Sequence, residues 1–178
     1  MSQYLVLTAM GADRTGSVSE LTKLASECGC NIIDSRMAIF GLEFTFIMLL
    51  NGNTRAINQI ENRLPVVAHS LDLITMMKRT SDYRSQDFTH HYQVEYAGID
   101  QPGVLKAVTA FFANRNIDIS SLKSEISPNT NITRAVILIA LTEETSINQL
   151  ENDFLQLCEQ IDVQGCIKKV NSNLLQGL

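Results

Sequence analysis

Two stretches of this chain decide its fold when set one above the other: "GADRTGSVSELTKLASECGCNI", residues 11–32, and "GIDQPGVLKAVTAFFANRNIDI", residues 98–119. Gly11, Asp13 and Gly16 fall on Gly98, Asp100 and Gly103 at a constant offset of 87, and Asn31-Ile32 falls on Asp118-Ile119 at the same offset. Further along, "INQIEN", 57–62, matches "INQLEN", 147–152, at an offset of 90. The three extra residues fit in "SPNTN", 127–131, which replaces a tighter turn near "FGLE", 40–43. Similarity at a fixed distance is read before any other signal, because it sets the architecture. The chain is therefore expected to hold a first domain at 1–80, a polar linker at 81–90, a second domain at 91–171 and a tail at 172–178.

Each copy can be read by hydrophobic period. "QYLVLTAM", 3–10, is apolar and β-branched, a strand ended by Gly11. Val18, Leu21, Leu24, Ala25 and Cys28 form one helical stripe, stopped at Gly29. "CNIIDSRMAIF", 30–40, and "EFTFIMLL", 43–50, read as strands around a turn at Gly41–Glu43. Ile57, Ile60 and Leu64 mark a second helix closed by Pro65, and "SLDLITMMKR", 70–79, is the last strand. The second copy repeats this with strands 91–97, 117–126, 133–142 and 162–170 and helices 103–114 and 145–160. The order βαββαβ, twice, predicts an α+β chain of two ferredoxin-like units, each an antiparallel sheet with two helices on one face. In that arrangement the second strand lies at an edge, here "NIIDSRMAIF" and "DISSLKSEIS". Unpaired apolar edges invite strand pairing. The copies are expected to pair side by side, or each with another chain as a homo-oligomer, bringing the two loops toward a shared groove.

Composition narrows the function. The 178 residues are 45% hydrophobic with a formal net charge of −5. Duplex binding runs on Lys and Arg neutralising phosphates, and this chain has no such surplus, so direct nucleic-acid binding is disfavoured. No apolar run approaches the roughly 20 residues of a membrane span. "MSQYLVLTAMGAD" has no basic region and no small-residue cleavage site, so a cytoplasmic protein is expected. Cys28, Cys30, Cys158 and Cys166 then read as reduced thiols. Cys28-Gly29-Cys30 lacks a second Cys or His pair at zinc spacing, His90 and His91 read as a solvated strand start, and no metal or other cofactor is expected.

"GADRTGSVS" itself, 11–19, has Gly, four residues, Gly and a helix start, most of a phosphate-binding loop. The Lys that reaches the phosphates is missing in both copies, and each loop carries an Asp that repels a triphosphate. A plain turn is the second reading: Gly supplies φ > 0, Pro102 suits a first helical turn, and Asp13 or Asp100 caps N–H groups there. The third reading is a site for a free amino acid. The helix start offers N–H groups to a carboxylate, the Asp accepts from an ammonium, and the second Gly lets the ligand close on the backbone. Candidate ligand-binding residues are Asp13, Gly16, Asn31, Asp100, Gly103 and Asp118, with Asn31 and Asp118 opening the next strand.

G-x-D-x-x-G between strand and helix, inside a βαββαβ unit, resembles the ACT domain, a small-molecule sensor module. Asp100-Gln101-Pro102-Gly103 matches the D-x-P-G loop of that family in full; Asp13-Arg14-Thr15-Gly16 departs by Thr for Pro. "CGCNIIDSRMA", "EFTFIMLL" and "LITMMKRT" carry the likeness further, to tandem-ACT regulators of the glycine cleavage operon. That resemblance implies a transcriptional co-regulator without a DNA-binding domain. It would repress the operon by acting on a separate DNA-binding transcriptional activator, with glycine or another small amino acid relieving the repression. The alternative from another class is a free-standing regulatory subunit of a metabolic enzyme. Catalysis is not expected: Asp34, Ser35, Arg36 and Glu43 read as ordinary polar strand residues, with no triad or metal set around them. Arg36, Lys78 and Arg79 are candidates for a partner surface, and Leu174, Leu175 and Leu178 for a docking strip in the tail.

Overall fold

The computed structural model describes residues 2–80, 90–141 and 145–170. The expected linker, apart from His90, and the expected tail lie outside the described residues. The chain divides into two compact units, one on either side of Ser85 and Gln86.

Unit one runs β1 (Ser2–Ala12), α1 (Ser17–Glu27), β2 (Asn31–Phe40), β3 (Glu43–Asn53), α2 (Thr54–Ser70) and β4 (Leu73–Thr80). Unit two runs β5 (His90–Ile99), α3 (Val104–Ala113), β6 (Ile119–Ser127), β7 (Ile132–Leu141), α4 (Ile147–Gln160) and β8 (Val163–Lys169). The sheets have orders β2-β3-β1-β4 and β6-β7-β5-β8, with every neighbouring pair antiparallel. This is the ferredoxin-like arrangement, with β2 and β6 at edges, as the βαββαβ order predicts. Both edge strands carry an irregularity at the same place, between Ile32 and Asp34 and between Ile119 and Ser121.

Each core forms between the inward face of its sheet and the apolar stripes of its two helices. In unit one, Leu5, Leu7 and Ala9 alternate inward from β1 and Phe44, Phe46, Met48 and Leu50 from β3. They meet Leu21, Leu24 and Ala25 of α1 and Ile57, Ile60 and Leu64 of α2. In unit two, Phe111, Phe112 and Phe154 form an aromatic cluster with ring centroids 5.1–5.9 Å apart.

Three local expectations are corrected. Pro65 does not close α2, which runs on to Ser70. Its ring sits on the exposed side, and the residues beyond it still bury Ala68 against the core. Burial outweighs the lost backbone donor. Gly11 does not end β1: the strand continues to Ala12, and Gly11 pairs with Phe44 and Leu73. A Cβ there would lie 2.7 Å from a Leu73 methyl and 2.9 Å from the Asp72 carbonyl. Gly98 is tight against Val163 and Asp162 in the same way. The first Gly of each motif is thus required by strand packing, not by the loop. Finally, the hairpin closes at Phe40↔Glu43 in one copy and Ser127↔Ile132 in the other. Only two of the three extra residues lie in that turn; the third falls between β7 and α4.

Candidate functional site

The second Gly of each motif is the N-cap of the following helix, with φ of 98° at Gly16 and 101° at Gly103. That left-handed conformation selects glycine. Nothing lies within 4 Å of where a Cβ would stand at either position, so the loop backbone faces open space. The Asp of each loop is fixed through its backbone. The Asp13 N–H donates to the Leu42 carbonyl and the Asp100 N–H to the Asn131 carbonyl, both at 2.9 Å, tying each loop to the tip of its hairpin.

The carboxylates do not cap the helices. Neither helix start has a side-chain cap, and among the described residues Asp13 and Asp100 form no side-chain hydrogen bond or ion pair. The capping role offered by the plain-turn reading is absent. The Val104 N–H turns back to the Gln101 carbonyl at 3.4 Å, and the first helical bond is Ala107 N–H to the Gly103 carbonyl at 2.9 Å. The N–H groups of Leu105 and Lys106, between those bonds, have no intrahelical acceptor and carry the positive end of the helix dipole.

In unit two this helix start, as far as Leu105, borders a cleft of about 430 Å³. Asp100, Gln101, Gly103, Val104 and Leu105 form its loop side, and Ser124, Glu125 and Ile126 of β6 its strand side. Tyr96 of β5 and Thr133 of β7 form the floor, both buried. Burial pushes the Tyr96 hydroxyl up from its ordinary pKa; Ser124 opposes this by hydrogen-bonding it, and the Asp100 charge adds to the rise. A carboxylate, a row of open N–H groups and hydroxyls thus share one cleft. It can take both ends of a small zwitterion.

Of the sequence-derived candidates, Asp100 and Gly103 meet in this cleft, and Asp13 and Gly16 hold the same backbone geometry in unit one. Asn31 and Asp118 are placed elsewhere. Asn31 pairs with Asn51, which faces Tyr4 near the start of β1, whereas the loop follows Ala12 at its far end. At about 3.4 Å per residue that separation is roughly 27 Å. Asp118 precedes Ile119, which pairs with Ile139 opposite Tyr92, again at the far end of the sheet. A ligand at either loop does not reach the strand start of its own copy.

Tyr96, Ser124, Glu125 and Thr133 were not legible as site residues. One signal existed: Thr133 is the lone hydroxyl at an inward position of "ITRAVILIAL", 132–141. Of the surface cations, Arg79 is committed to α2, donating to Glu61 and to the Asn58 side-chain oxygen Oδ1, the latter at 2.6 Å. Arg36 pairs with Asp34 at 3.8 Å. Among the described residues no cluster of three His, Cys, Asp or Glu could hold a metal ion, and no helix is long and apolar enough to cross a membrane.

The comparisons with known proteins agree with this fold. ACT-domain family models match residues 3–78 and 92–159. The glycine cleavage system transcriptional repressors of Escherichia coli K12 and Shigella flexneri are each 40% identical over 172 residues, 94% of this chain and 90% of theirs. A solved structure assigned as a glycine cleavage system transcriptional repressor superposes with a TM-score of 0.78 at 38% identity, over 97% of this chain and 99% of that one. A Galdieria sulphuraria protein of unknown function superposes at 0.75 with 23% identity, over 96% of this chain and 100% of that one, and shares the fold.

Proposed function

Because this chain belongs to the tandem-ACT family of glycine cleavage system transcriptional repressors, we propose that it is a non-catalytic co-regulator that lowers glycine cleavage operon expression by binding a separate DNA-binding activator. A small amino acid, glycine first among them, relieves the repression. The observation that carries the sensing half is the unit-two cleft, where the uncapped Asp100 carboxylate stands beside an open helix start. A carboxylate in that cleft meets N–H groups and the dipole, and an ammonium meets Asp100. The net charge of −5 supports regulation through a protein partner, since phosphate neutralisation requires the opposite balance.

Relief by the amino acid requires different affinities for partner-bound and free protein. Capture of partners on the immobilised full chain, with and without millimolar glycine, tests both halves. The expected result is a DNA-binding protein retained without glycine and released with it. Recovery of a metabolic enzyme and no DNA-binding protein would replace this reading with that of an allosteric subunit.

A further inference from the structure

The two copies differ beneath the loop, in the residues that line the unit-two cleft. Thr133 occupies the place of Phe44, as their pairing with Gly98 and Gly11 shows. Tyr96 occupies the place of Ala9, and Ser124 that of Met37. In unit one the floor is therefore Ala9 and Phe44, both apolar and buried. In unit two the aromatic ring has moved to the neighbouring strand and left a hydroxyl where the ring of Phe44 stands.

Thr133 is 5% exposed, and its side chain makes no hydrogen bond among the described residues. No fully enclosed side-chain oxygen among those residues lacks a partner, so the Thr133 hydroxyl opens onto the cleft that it lines. A buried hydroxyl left unpaired costs about 1–3 kcal/mol, so a ligand that pairs it gains selectivity over one that does not. Unit one has one buried hydroxyl near its loop, Ser17 in the first turn of α1, where unit two has Val104. Ser17 sits on the helix, and the strand position equivalent to Thr133 carries the apolar Phe44.

We infer that the unit-two cleft is the effector site of the chain and that Thr133 is its specificity-determining residue, pairing with a polar group of a small amino acid. This rests on the proposed amino-acid sensing and assigns it to one copy and one floor. The ligand's carboxylate faces Gly103–Leu105, its ammonium lies by Asp100, and Thr133 bonds the inner carboxylate oxygen of glycine or the side-chain hydroxyl of serine. An apolar side chain would leave Thr133 unpaired.

Titration calorimetry on the full chain with glycine, serine, alanine and valine tests this. One site per chain is expected. Thr133→Val, which keeps the shape and removes the hydroxyl, is expected to weaken the tightest binder at least tenfold and to narrow the gap between serine and alanine. Thr133→Ser should stay within about threefold of wild type, and Ser17→Ala within about twofold. Circular dichroism melts establish that each variant is folded; should Thr133→Val melt early, Thr133→Ser and the ligand ranking carry the decision. Two equivalent sites, binding indifferent to Thr133→Val, or binding abolished by Ser17→Ala would each overturn this inference and leave amino-acid sensing standing. Failure of all four amino acids to bind wild type would remove both.

Discussion

The four glycines of the two motifs do two different jobs. Gly16 and Gly103 hold a left-handed backbone in open space. Gly103→Ala therefore meets only conformational strain, an expected loss of about 1 kcal/mol. Gly98 meets atoms that cannot move aside, because two of the three nearest to its Cβ position are the Asp162 carbonyl at 2.9 Å and the Val163 Cα at 3.0 Å. Gly98→Ala is expected to cost about 3 kcal/mol, at the upper end for overpacking. Urea unfolding of the two variants should separate them clearly, and equal losses would mean that strain, not contact, governs both. The cysteines separate in a similar way. Cys28, Cys30 and Cys158 are buried, and burial pushes the Cys158 thiol up to about 11, with the neighbouring Cys166 adding to the rise. Since the thiolate is the nucleophile, Cys158 should resist alkylation at pH 8 in the native protein. Half-buried Cys166 should react first, a ranking that peptide mass spectrometry after brief labelling reads directly.

At the scale of elements, local signals served well wherever burial agreed with them. The helical stripes and the strand-like runs gave all twelve elements in order: ten have a buried face with a fixed period, while the edge strands β2 and β6, which bury no residue, were marked by their apolar content and the turns beside them. Pro65 shows where such reading stops. A Pro inside a helix removes a donor and crowds the preceding turn. The residue type cannot report that the following turn buries Ala68. Pro65→Ala restores a donor at an exposed position of α2, and an increase in stability of about 1–2 kcal/mol is expected from the higher midpoint of urea unfolding. An unchanged or lower midpoint would show that Pro65 contributes through the stiffness it gives the unfolded chain. The candidate site divides along the same line. Its loop was legible, because Asp100, Gly103 and the helix start are neighbours in sequence. Its floor was not, because Thr133 meets Tyr96 and Ser124 only through the register of three strands. The strand starts, Asn31 and Asp118, follow the helices in sequence and yet lie at the far end of the sheet, a consequence of the crossover direction that motif spacing does not contain.

Across the whole molecule, the repeat preserves the fold while exchanging the charges that fasten it. In unit one Glu27 at the end of α1 pairs with Arg63 of α2 at 2.6 Å. In unit two Arg115, just after α3, pairs with Asp153 of α4 at 3.0 Å. Arg63 and Asp153 are equivalent by the offset of 90, so the same helix–helix link has its polarity reversed. Arg79–Glu61 then fastens β4 to α2, and Lys168–Glu95 fastens β8 to β5. Each acid, Glu27, Glu61, Glu95 and Asp153, is held below its ordinary pKa, first by the hydrogen bond from its basic partner. A depressed folded-state pKa stabilises above the unfolded value, and that contribution is lost as pH falls through the folded one. The basic partners Arg63, Arg79 and Lys168 are raised, so their share persists until strongly alkaline pH. Stability should therefore be flat between about pH 6 and 8 and decline from about pH 5 downward as the four acids take up protons. These pairs are solvent-exposed, so each contributes little alone and salt should soften the acid decline. Urea midpoints at pH 7, 5 and 3, in low and in high salt, measure this. A midpoint unmoved between pH 7 and 3 would show that these four pairs fix only the geometry within each copy and add nothing to its stability.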